Sequence, residues 1–323
     1  MKNLKIIIFI LLIIFPFPVF ASYEHFKVWD MSDGLSNNTV KSITQDHLGF
    51  IWLGTFDGLC KFDGVDFTIF RHDLQDSLSI INNHVEVVAS VRDELWVGTK
   101  QGLNLYSYKE NNFRLCEWIL PTGERQKITE SIKNIVVNQG NVFVLTFSHE
   151  LLVRKKGCVF EPCDYKKNIE WLSISGYKEG LLIGHATDGL YVIDPDEMGI
   201  RAHFPFDSKI LSDCLYYSAN KDMIFLGFGI GYPSLAFRMN KENSLEKLEV
   251  RIPSSVKTIA DYKDETLFGT DGNGLMFFNE EGCSGISSGE SDMSSDAIYS
   301  LFVDRGQNLW IGTYRGGLNA SSE

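Results

Sequence analysis

The chain has 323 residues, of which 44% are hydrophobic, and its formal charge at neutral pH is −12. This hydrophobic content excludes a chain that is disordered over most of its length. The negative charge argues against a nucleic-acid-binding protein, because phosphate groups require a basic protein surface. The charge does not identify any other partner.

The first twenty residues differ from everything that follows. Lys2 and Lys5 precede an unbroken apolar run from Ile6 to Phe20, and Ala21 supplies a small residue at the end of this run. The pattern predicts a secretory signal peptide over residues 1–21, since the run is short for a membrane-spanning helix. An uncleaved membrane anchor is the alternative. Cleavage would leave residues 22–323 as a periplasmic, soluble product.

A short unit, Trp52-Leu53-Gly54-Thr55, recurs along the rest of the chain at intervals of 39 to 47 residues. The third residues of the seven copies are Gly54, Gly98, Leu145, Gly184, Gly227, Gly269 and Gly312. Short apolar segments at this period predict a β-propeller with one four-stranded sheet in each repeat. We therefore expect an all-β fold, a single seven-bladed propeller of antiparallel blades.

The first repeat shows how four strands fit into one period. Thr39 to Asp46 alternates apolar and polar residues and predicts the innermost strand, and Phe50 to Thr55, Leu59 to Phe62 and Asp66 to Arg71 predict the other three. The same division places the blades at about 39–71, 84–116, 131–162, 169–205, 212–251, 255–287 and 297–320, all within one domain over residues 22–323.

The two ends of the chain predict how the ring closes. The seventh repeat has no fourth strand before Glu323, whereas residues 25–30 have the pattern of an outer strand without a sheet of their own. We expect residues 25–30 to complete the last blade, because this pairing removes an open sheet edge.

The first repeat carries the residues of a known family. Asp46, Gly49, Ile51, Trp52, Gly54, Thr55, Gly58 and Leu59 follow the entry segment Asp33-Gly34-Leu35-Ser36-Asn37-Asn38. This pattern resembles the two-component regulator propeller family, which forms the periplasmic sensor region of hybrid two-component systems that control polysaccharide use. The resemblance implies a second propeller, a β-sandwich, a membrane helix, a kinase and a dimeric assembly, and this sequence contains one propeller and no kinase motif. Attachment to a membrane would then depend on downstream domains that this chain lacks.

Catalytic and metal-binding patterns are absent from the sequence. The seven histidines are scattered, with no two at metal-ligand spacing, and no C-x-x-C motif or cysteine–histidine cluster with zinc spacing occurs. We therefore predict no catalytic residue, no metal and no cofactor. Paired carboxylates for glycoside hydrolysis cannot be recognised from spacing and stay open. Among six cysteines, Cys158 and Cys163 flank a short Glu-Pro segment and are the one local pair that could form a disulfide, although small buried thiols are the simpler interpretation.

A ligand site is expected on the face where the turns between the second and third strands meet the connections between blades. Residues of these turns are Asp57, Lys100, His149, Asp188, Tyr232, Asp271, Asn273, Tyr314 and Arg315. Their amide, charged and aromatic groups would suit a sugar, and solvated loops without a ligand are the alternative. Trp118 and Trp171 lie outside the repeated position, where packing in the core is a better interpretation than stacking on a ligand.

The sequence therefore predicts a periplasmic recognition or sensing module without catalysis of its own. The expected partner is an oligosaccharide or a second propeller domain. A secreted propeller enzyme, a polysaccharide lyase or a glycoside hydrolase with a site at the channel mouth, is the alternative function.

Overall fold

The computed structural model describes residues 25–120, 122–163, 169–197, 199–206, 211–240, 244–248, 255–279 and 282–322. These residues form seven sheets, each with four antiparallel strands as its blade, and the innermost strands of successive sheets pack side by side around a central channel. The chain is a seven-bladed β-propeller, which confirms the predicted fold. In the described ranges no helix has the length and apolar character to cross a membrane. The predicted signal peptide lies outside them.

In each of the first four blades the strands follow one another from the innermost strand outward. Blade 1 contains β2 (Val40–Gln45), β3 (Ile51–Thr55), β4 (Gly58–Phe62) and β5 (Phe67–Phe70); blade 2 contains β6 (Val85–Val91), β7 (Glu94–Thr99), β8 (Gly102–Ser107) and β9 (Asn112–Leu115). Blade 3 contains β12 (Ile132–Asn138), β13 (Asn141–Thr146), β14 (Leu151–Lys156) and β15 (Val159–Pro162), followed by β10 (Glu117–Ile119) and β11 (Arg125–Lys127). Blade 4 contains β16 (Trp171–Gly176), β17 (Leu182–Ala186), β18 (Gly189–Asp194) and β19 (Gly199–Pro205).

The last three blades follow the same order. Blade 5 contains β20 (Ser212–Ser218), β21 (Met223–Phe228), β22 (Leu235–Met239) and β23 (Leu245–Leu248); blade 6 contains β24 (Val256–Tyr262), β25 (Glu265–Thr270), β26 (Leu275–Asn279) and β27 (Gly282–Ile286). Blade 7 contains β28 (Ile298–Val303), β29 (Leu309–Thr313) and β30 (Leu318–Ser322), and its outermost strand is β1 (His25–Trp29).

Strand β1 closes the ring as predicted. It pairs antiparallel with β30 from His25 opposite Ser322 to Trp29 opposite Leu318. Trp29 packs against Trp310 of the last blade and Phe62 of the first, with ring centroids 5.8 and 5.2 Å apart. The beginning of the chain thus joins the last blade both through backbone hydrogen bonds and through a shared apolar core.

Blade 3 differs from the predicted four strands. The segment between blades 2 and 3 folds into the hairpin β10–β11, and β10 adds in parallel to the outer strand β15. Trp118 stands opposite Phe160 in this pairing and is half-buried. The hairpin escaped detection because its two strands have only three residues each, too few to show an alternating pattern.

The aspartate of the repeated motif stabilises the turn and the tryptophan that follow it. The side chain of Asp46 accepts hydrogen bonds from the backbone amides of Leu48 and Phe50 and, at 2.7 Å, from the indole nitrogen of Trp52. Asp46 is buried, so these bonds replace the water that the carboxylate loses on folding. In the last blade Asp304 bonds to Trp310 at 2.9 Å in the same way. The motif therefore encodes one fixed turn at two places in the ring.

The repeated glycine allows neighbouring blades to approach closely. A Cβ atom on Gly54 would lie 2.8 Å from Val85, and one on Gly98 would lie 2.7 Å from Ile132. Each of these partners begins the innermost strand of the next blade. In blade 3 the motif has Leu145 instead of glycine, and this side chain packs in the cluster that contains Trp171. The blade spacing is thus set by glycine in most interfaces and by a leucine in one.

Candidate functional site

One position of each innermost strand surrounds the channel near its mouth. This position directly follows the residue that begins the strand, and its occupants are Lys41, Glu86, Lys133, Leu172, Asp213, Lys257 and Tyr299, here called the mouth ring. All of them except the buried Leu172 line the channel cavity. Because all seven inner strands start on the same face of the propeller, the register places these residues at one level. The mouth ring gathers three lysines, two carboxylates and one tyrosine.

The channel below and around the mouth ring contains a cavity of about 280 Å³. Residues of all seven blades line it, including Ser42, Asn134, Ser173, Tyr216 and Thr258. The lining is mixed, with charged and hydroxyl groups beside aliphatic side chains. A cavity of this kind, concave and furnished with a few convergent polar groups, is typical of a small-molecule site.

Ion pairs join neighbouring blades at two places in the mouth ring. Lys41 contacts Glu86 at 3.2 Å, and Lys257 contacts Asp213 at 2.9 Å. Burial alone lowers the pKa of Lys257, but the hydrogen bond and charge of Asp213 outweigh it, so that this pKa lies above its ordinary value. His84 also contacts Glu86 at 3.2 Å, yet burial keeps the pKa of this histidine below its usual range.

Lys133 has a different environment. Its ammonium group donates to the backbone carbonyl oxygens of Leu172 and Ser212 in the next two blades. Burial lowers the pKa of Lys133, and the charge of Asp213 only partly opposes this effect. Two lysines of the mouth ring therefore have carboxylate partners, whereas Lys133 is held by carbonyl dipoles.

An aromatic platform lies beside the charged groups. The rings of Tyr299 and Tyr314 stack with centroids 5.3 Å apart and an interplanar angle of 27°. The guanidinium group of Arg315 lies 4.9 Å from the Tyr314 ring centre, and the ammonium group of Lys41 lies 5.4 Å from that of Tyr299. Cations at these distances are attracted by the face of an aromatic ring. The platform thus combines flat apolar surface with hydrogen-bond donors.

Three of the residues predicted for the site join this region. They are Tyr314, Arg315 and Asp271, whose carboxylate lies 3.9 Å from Lys257. Lys100 and Asn273 are exposed on neighbouring turns, and Tyr232 is half-exposed on the longer turn of blade 5. These six stay ligand-binding predictions.

The other three predicted residues are engaged within or between blades. Asp57 pairs with Arg71 at 3.1 Å, and Asp188 accepts a hydrogen bond from Tyr191 at 2.6 Å. His149 contacts the carbonyl oxygen of Trp171 at 3.0 Å and so links blade 3 to blade 4. Their contacts give each of them a role in fixing turns, and ligand contact by any of them stays a prediction.

Sequence reasoning missed the mouth ring itself. The charges at this position change sign from blade to blade, so no repeated letter marks it. The available signal was positional: each member follows the buried residue that starts an inner strand, as Lys41 follows Val40 and Lys257 follows Val256. Trp171 lies in the core, as expected, with 3% of its surface exposed.

The two cysteines suggested as a pair do not meet. Cys158 and Cys163 lie at opposite ends of β15, and an extended strand of this length separates their Cα atoms by roughly 16 Å. A disulfide requires Cα atoms less than about 7 Å apart. That suggestion is therefore wrong, and Cys163 belongs instead to the core cluster of blades 3 and 4.

A serine and a histidine share a hydrogen bond next to the channel. His185 Nδ1 lies 2.9 Å from the hydroxyl of Ser212, which also bonds to Ser173 at 2.6 Å. His185 and Ser212 are 0% and 1% exposed, so a substrate cannot reach them in this conformation. Among the described residues, His185 Nε2 has no hydrogen-bond partner, and no carboxylate orients this ring as in a catalytic triad.

The buried state of His185 predicts a pH-dependent stability. Burial, assisted by the charge of Lys133, lowers the pKa of His185 to about 4, so the unfolded chain binds this proton more readily than the folded one. Stability is complete above the unfolded pKa near 6.5 and falls as the pH drops toward 4. Urea unfolding at pH 7 and pH 5 measures this effect. Over that range we expect the free energy of unfolding of the wild-type chain to fall by about 2 kcal/mol more than that of His185→Gln. Parallel curves for the two proteins would contradict this assignment.

No group of three or more histidine, cysteine or acidic side chains in the described ranges is arranged to hold a metal ion.

By its fold and site, the chain belongs to the seven-bladed propellers that have a polar and aromatic channel mouth. Residues 34–57 and 292–315 match the family described as "two component regulator propeller". These segments lie in the first and last blades, so two of the seven blades carry sequence that matches this repeat family. This match confirms the resemblance noted in the sequence.

The comparison with known proteins adds one curated relative and several structures. A stretch of 55 residues, 17% of this chain, is 51% identical to Histidine kinase P4 of Formosa agariphila, and it covers 4% of that protein. The extracellular domain of a protein described as a hybrid two-component system of B. thetaiotaomicron has a TM-score of 0.73 at 24% identity, over 93% of this chain and 42% of that one. A catalytically inactive virginiamycin B lyase of Staphylococcus aureus has a TM-score of 0.66 at 12% identity, over 93% of this chain and all of that one.

The two similar structures share the fold of this chain, and their sequence identities are too low to assign a function to it. The chain spans under half the length of the bacterial extracellular domain and a small fraction of the kinase.

Proposed function

We propose that this propeller is an extracytoplasmic sensing module that binds an oligosaccharide at the channel mouth and has no catalytic activity of its own. The observation that carries the proposal is the stacked pair Tyr299 and Tyr314 beside the charged groups of the mouth ring. Sugar rings have apolar faces that pack on aromatic side chains, and their hydroxyl groups bind to charged and amide groups at the edges. The mouth offers both kinds of surface side by side.

The charge arrangement favours a ligand with many hydroxyl groups. Lys41 and Lys257 are already paired with carboxylates, so the mouth ring has no concentrated field of one sign. Carboxylates such as Glu86 and Asp213 can accept hydrogen bonds from hydroxyl groups, and the lysines can donate to them. A strongly charged ligand would have to displace these ion pairs, whereas a neutral oligosaccharide can bind across them.

The repeat family and the similar extracellular domains support a sensing role. In this proposal the chain acts outside the cytoplasm and passes the binding signal to a partner. The partner is a second propeller or another sensor domain, and a dimer would be the active assembly. Exposed apolar residues on turns of the same face, Phe147, Ile230 and Tyr232, offer surface for such contacts.

Calorimetry with oligosaccharide pools, prepared by partial hydrolysis of neutral and acidic polysaccharides, tests the proposal. We expect one pool to bind, and Tyr299→Ala to weaken that binding about tenfold through the loss of ring stacking. Tyr217→Ala is the matched control, because Tyr217 lies near the other end of an inner strand and packs edge-to-face against Tyr177. Equal losses in the two variants would place the ligand elsewhere.

The same incubations separate a sensor from an enzyme. The similarity to a lyase fold makes this second outcome worth measuring, although it rests on the fold alone. Chromatography of each pool after incubation should return the oligosaccharides unchanged. New unsaturated or shortened products, absent with boiled protein, would reject the sensing module and favour the propeller enzyme.

A further inference from the structure

Cys116 and Cys158 meet at the outer edges of blades 2 and 3. Cys116 directly follows the outer strand β9, and Cys158 lies in the turn between β14 and β15. Cys116 is fully buried, whereas Cys158 is partly accessible to solvent. Both belong to the apolar cluster that joins the two blades, and both are reduced thiols in the structure.

The backbone register brings the two cysteines face to face. In the parallel pairing of β10 with β15, Glu117 stands opposite Val159, and the amide of Glu117 donates to the carbonyl of Cys158 at 2.9 Å. The preceding residues on the two strands are Cys116 and Cys158. Neighbouring strands lie about 4.8 Å apart, which is within the Cα separation of about 4.4–6.8 Å found in disulfides.

Backbone hydrogen bonds fix Cys116 in this position. Its amide donates to the carbonyl of Leu103 at 2.8 Å, and its carbonyl accepts from the amide of Ile128 at 2.9 Å. The first bond ties it to blade 2, and the second ties it to the end of the inserted hairpin. A bond between the two sulfur atoms would therefore need little movement of the backbone.

The surroundings give the two thiols different reactivity. The thiol of Cys116 donates a hydrogen bond to Cys158 and lowers the pKa of Cys158, and the charges of Arg114 and Arg154 act in the same direction. Burial raises the pKa of Cys116, and its hydrogen bond to Cys158 adds to this effect. A thiolate forms first on the partly exposed residue, which is the one that a reagent can reach.

We propose that Cys116 and Cys158 form a disulfide that cross-links blades 2 and 3 through exchange with an external disulfide, carried by an oxidoreductase or by a small molecule such as oxidised glutathione. In the first step the Cys158 thiolate attacks one sulfur of the external disulfide, forming a mixed disulfide and releasing one thiolate. In the second step Cys116 loses its proton and attacks the Cys158 sulfur, releasing the second thiolate. The protein loses two hydrogen atoms, and the external disulfide is reduced to two thiols.

The cross-link would act where the inserted hairpin joins two blades. Strand β10 of the hairpin pairs with the outer strand β15 of blade 3, so the outer edge of the contact between blades 2 and 3 departs from the repeat. The indole nitrogen of Trp96, in the same cluster, has no hydrogen-bond partner in the part of the chain that the structure describes. A covalent bond at this edge would hold the hairpin and both blades together.

Peptide mapping of the full chain tests the proposal. The purified protein is equilibrated with oxidised glutathione, alkylated, digested without reduction and analysed by mass spectrometry, beside a sample kept in dithiothreitol. We expect a linked peptide pair that contains Cys116 and Cys158 only in the oxidised sample. The melting midpoint of the oxidised chain should lie about 5 °C above that of the reduced chain.

Two variants make the test specific. Cys158→Ser should lose both the linked pair and the shift in melting midpoint, whereas Cys163→Ser should keep both. The map of the wild-type chain decides the proposal even where a variant does not fold. Alkylation of both Cys116 and Cys158 after oxidation, or a link from Cys158 to Cys163, overturns it.

Discussion

A chain that lacks residues 22–31 is expected to melt at least about 10 °C below the full chain. The deletion removes β1 and with it Trp29 and Phe26, which are 9% and 6% exposed. Truncating a buried aromatic side chain to alanine lowers the free energy of unfolding by about 3–5 kcal/mol. The deletion also turns β30 into an open sheet edge between the last and first blades, which favours aggregation. Calorimetric melting with light scattering measures both effects.

A point substitution and a control refine this prediction. Trp29→Ala keeps the backbone pairing but removes the ring that packs on Trp310 and Phe62, so it should cause a large part of the loss. Val28→Ala changes the neighbouring, outward-facing side chain, which is 37% exposed, and should change stability by less than about 0.5 kcal/mol. An unchanged melting curve for the deletion would show that the ring does not depend on this strand.

The substitution Gly98→Val is expected to reduce the free energy of unfolding by about 3 kcal/mol. A Cβ atom at this position would lie 2.7 Å from Ile132 in the next blade and 2.8 Å from Val87 in its own. All three residues lie in strands of packed blades, so the clash cannot be relieved by rotating one exposed side chain. Blades 2 and 3 would have to separate along their interface. Urea unfolding measures the loss.

Gly176→Val is the matched control for this steric effect. Gly176 ends the inner strand of blade 4, and apart from its chain neighbours no atom of the described residues lies within 4 Å of the Cβ position that valine would occupy. The same side chain is thus added to an inner-blade strand without a clash, and we expect a change within about 0.5 kcal/mol. Equal losses at Gly98 and Gly176 would mean that glycine is needed for its backbone and not for the approach of the next blade.

Repeated residues could be read from the sequence because each has the same task in several blades. Asp46 and Trp52 recur as Asp304 and Trp310, and both pairs form the same hydrogen bond. Glycine recurs because the next blade comes too close for a side chain. The closing strand was also predictable, because the seventh repeat had three strands and residues 25–30 had a strand pattern outside any repeat.

The candidate site was only partly predictable, because its residues differ from one blade to the next. Tyr314, Arg315 and Asp271, which lie beside the channel mouth, were predicted because turns carry function in many folds, and ligand binding by them stays a prediction. The mouth ring was not, because Lys41, Glu86 and Tyr299 come from three repeats and have no residue type in common. Their proximity follows from the circle and cannot be read from any single repeat.

Sequence by itself determined the number of blades, the closing of the ring and the turns that carry a repeated motif, because these depend on local patterns that return at a fixed period. Only the tertiary structure decided which side chains share the channel mouth, that the inserted hairpin extends blade 3, and that Cys116 faces Cys158 and not Cys163. These outcomes depend on contacts between residues far apart in the chain, and the distance between such residues is fixed only when the blades pack in a circle.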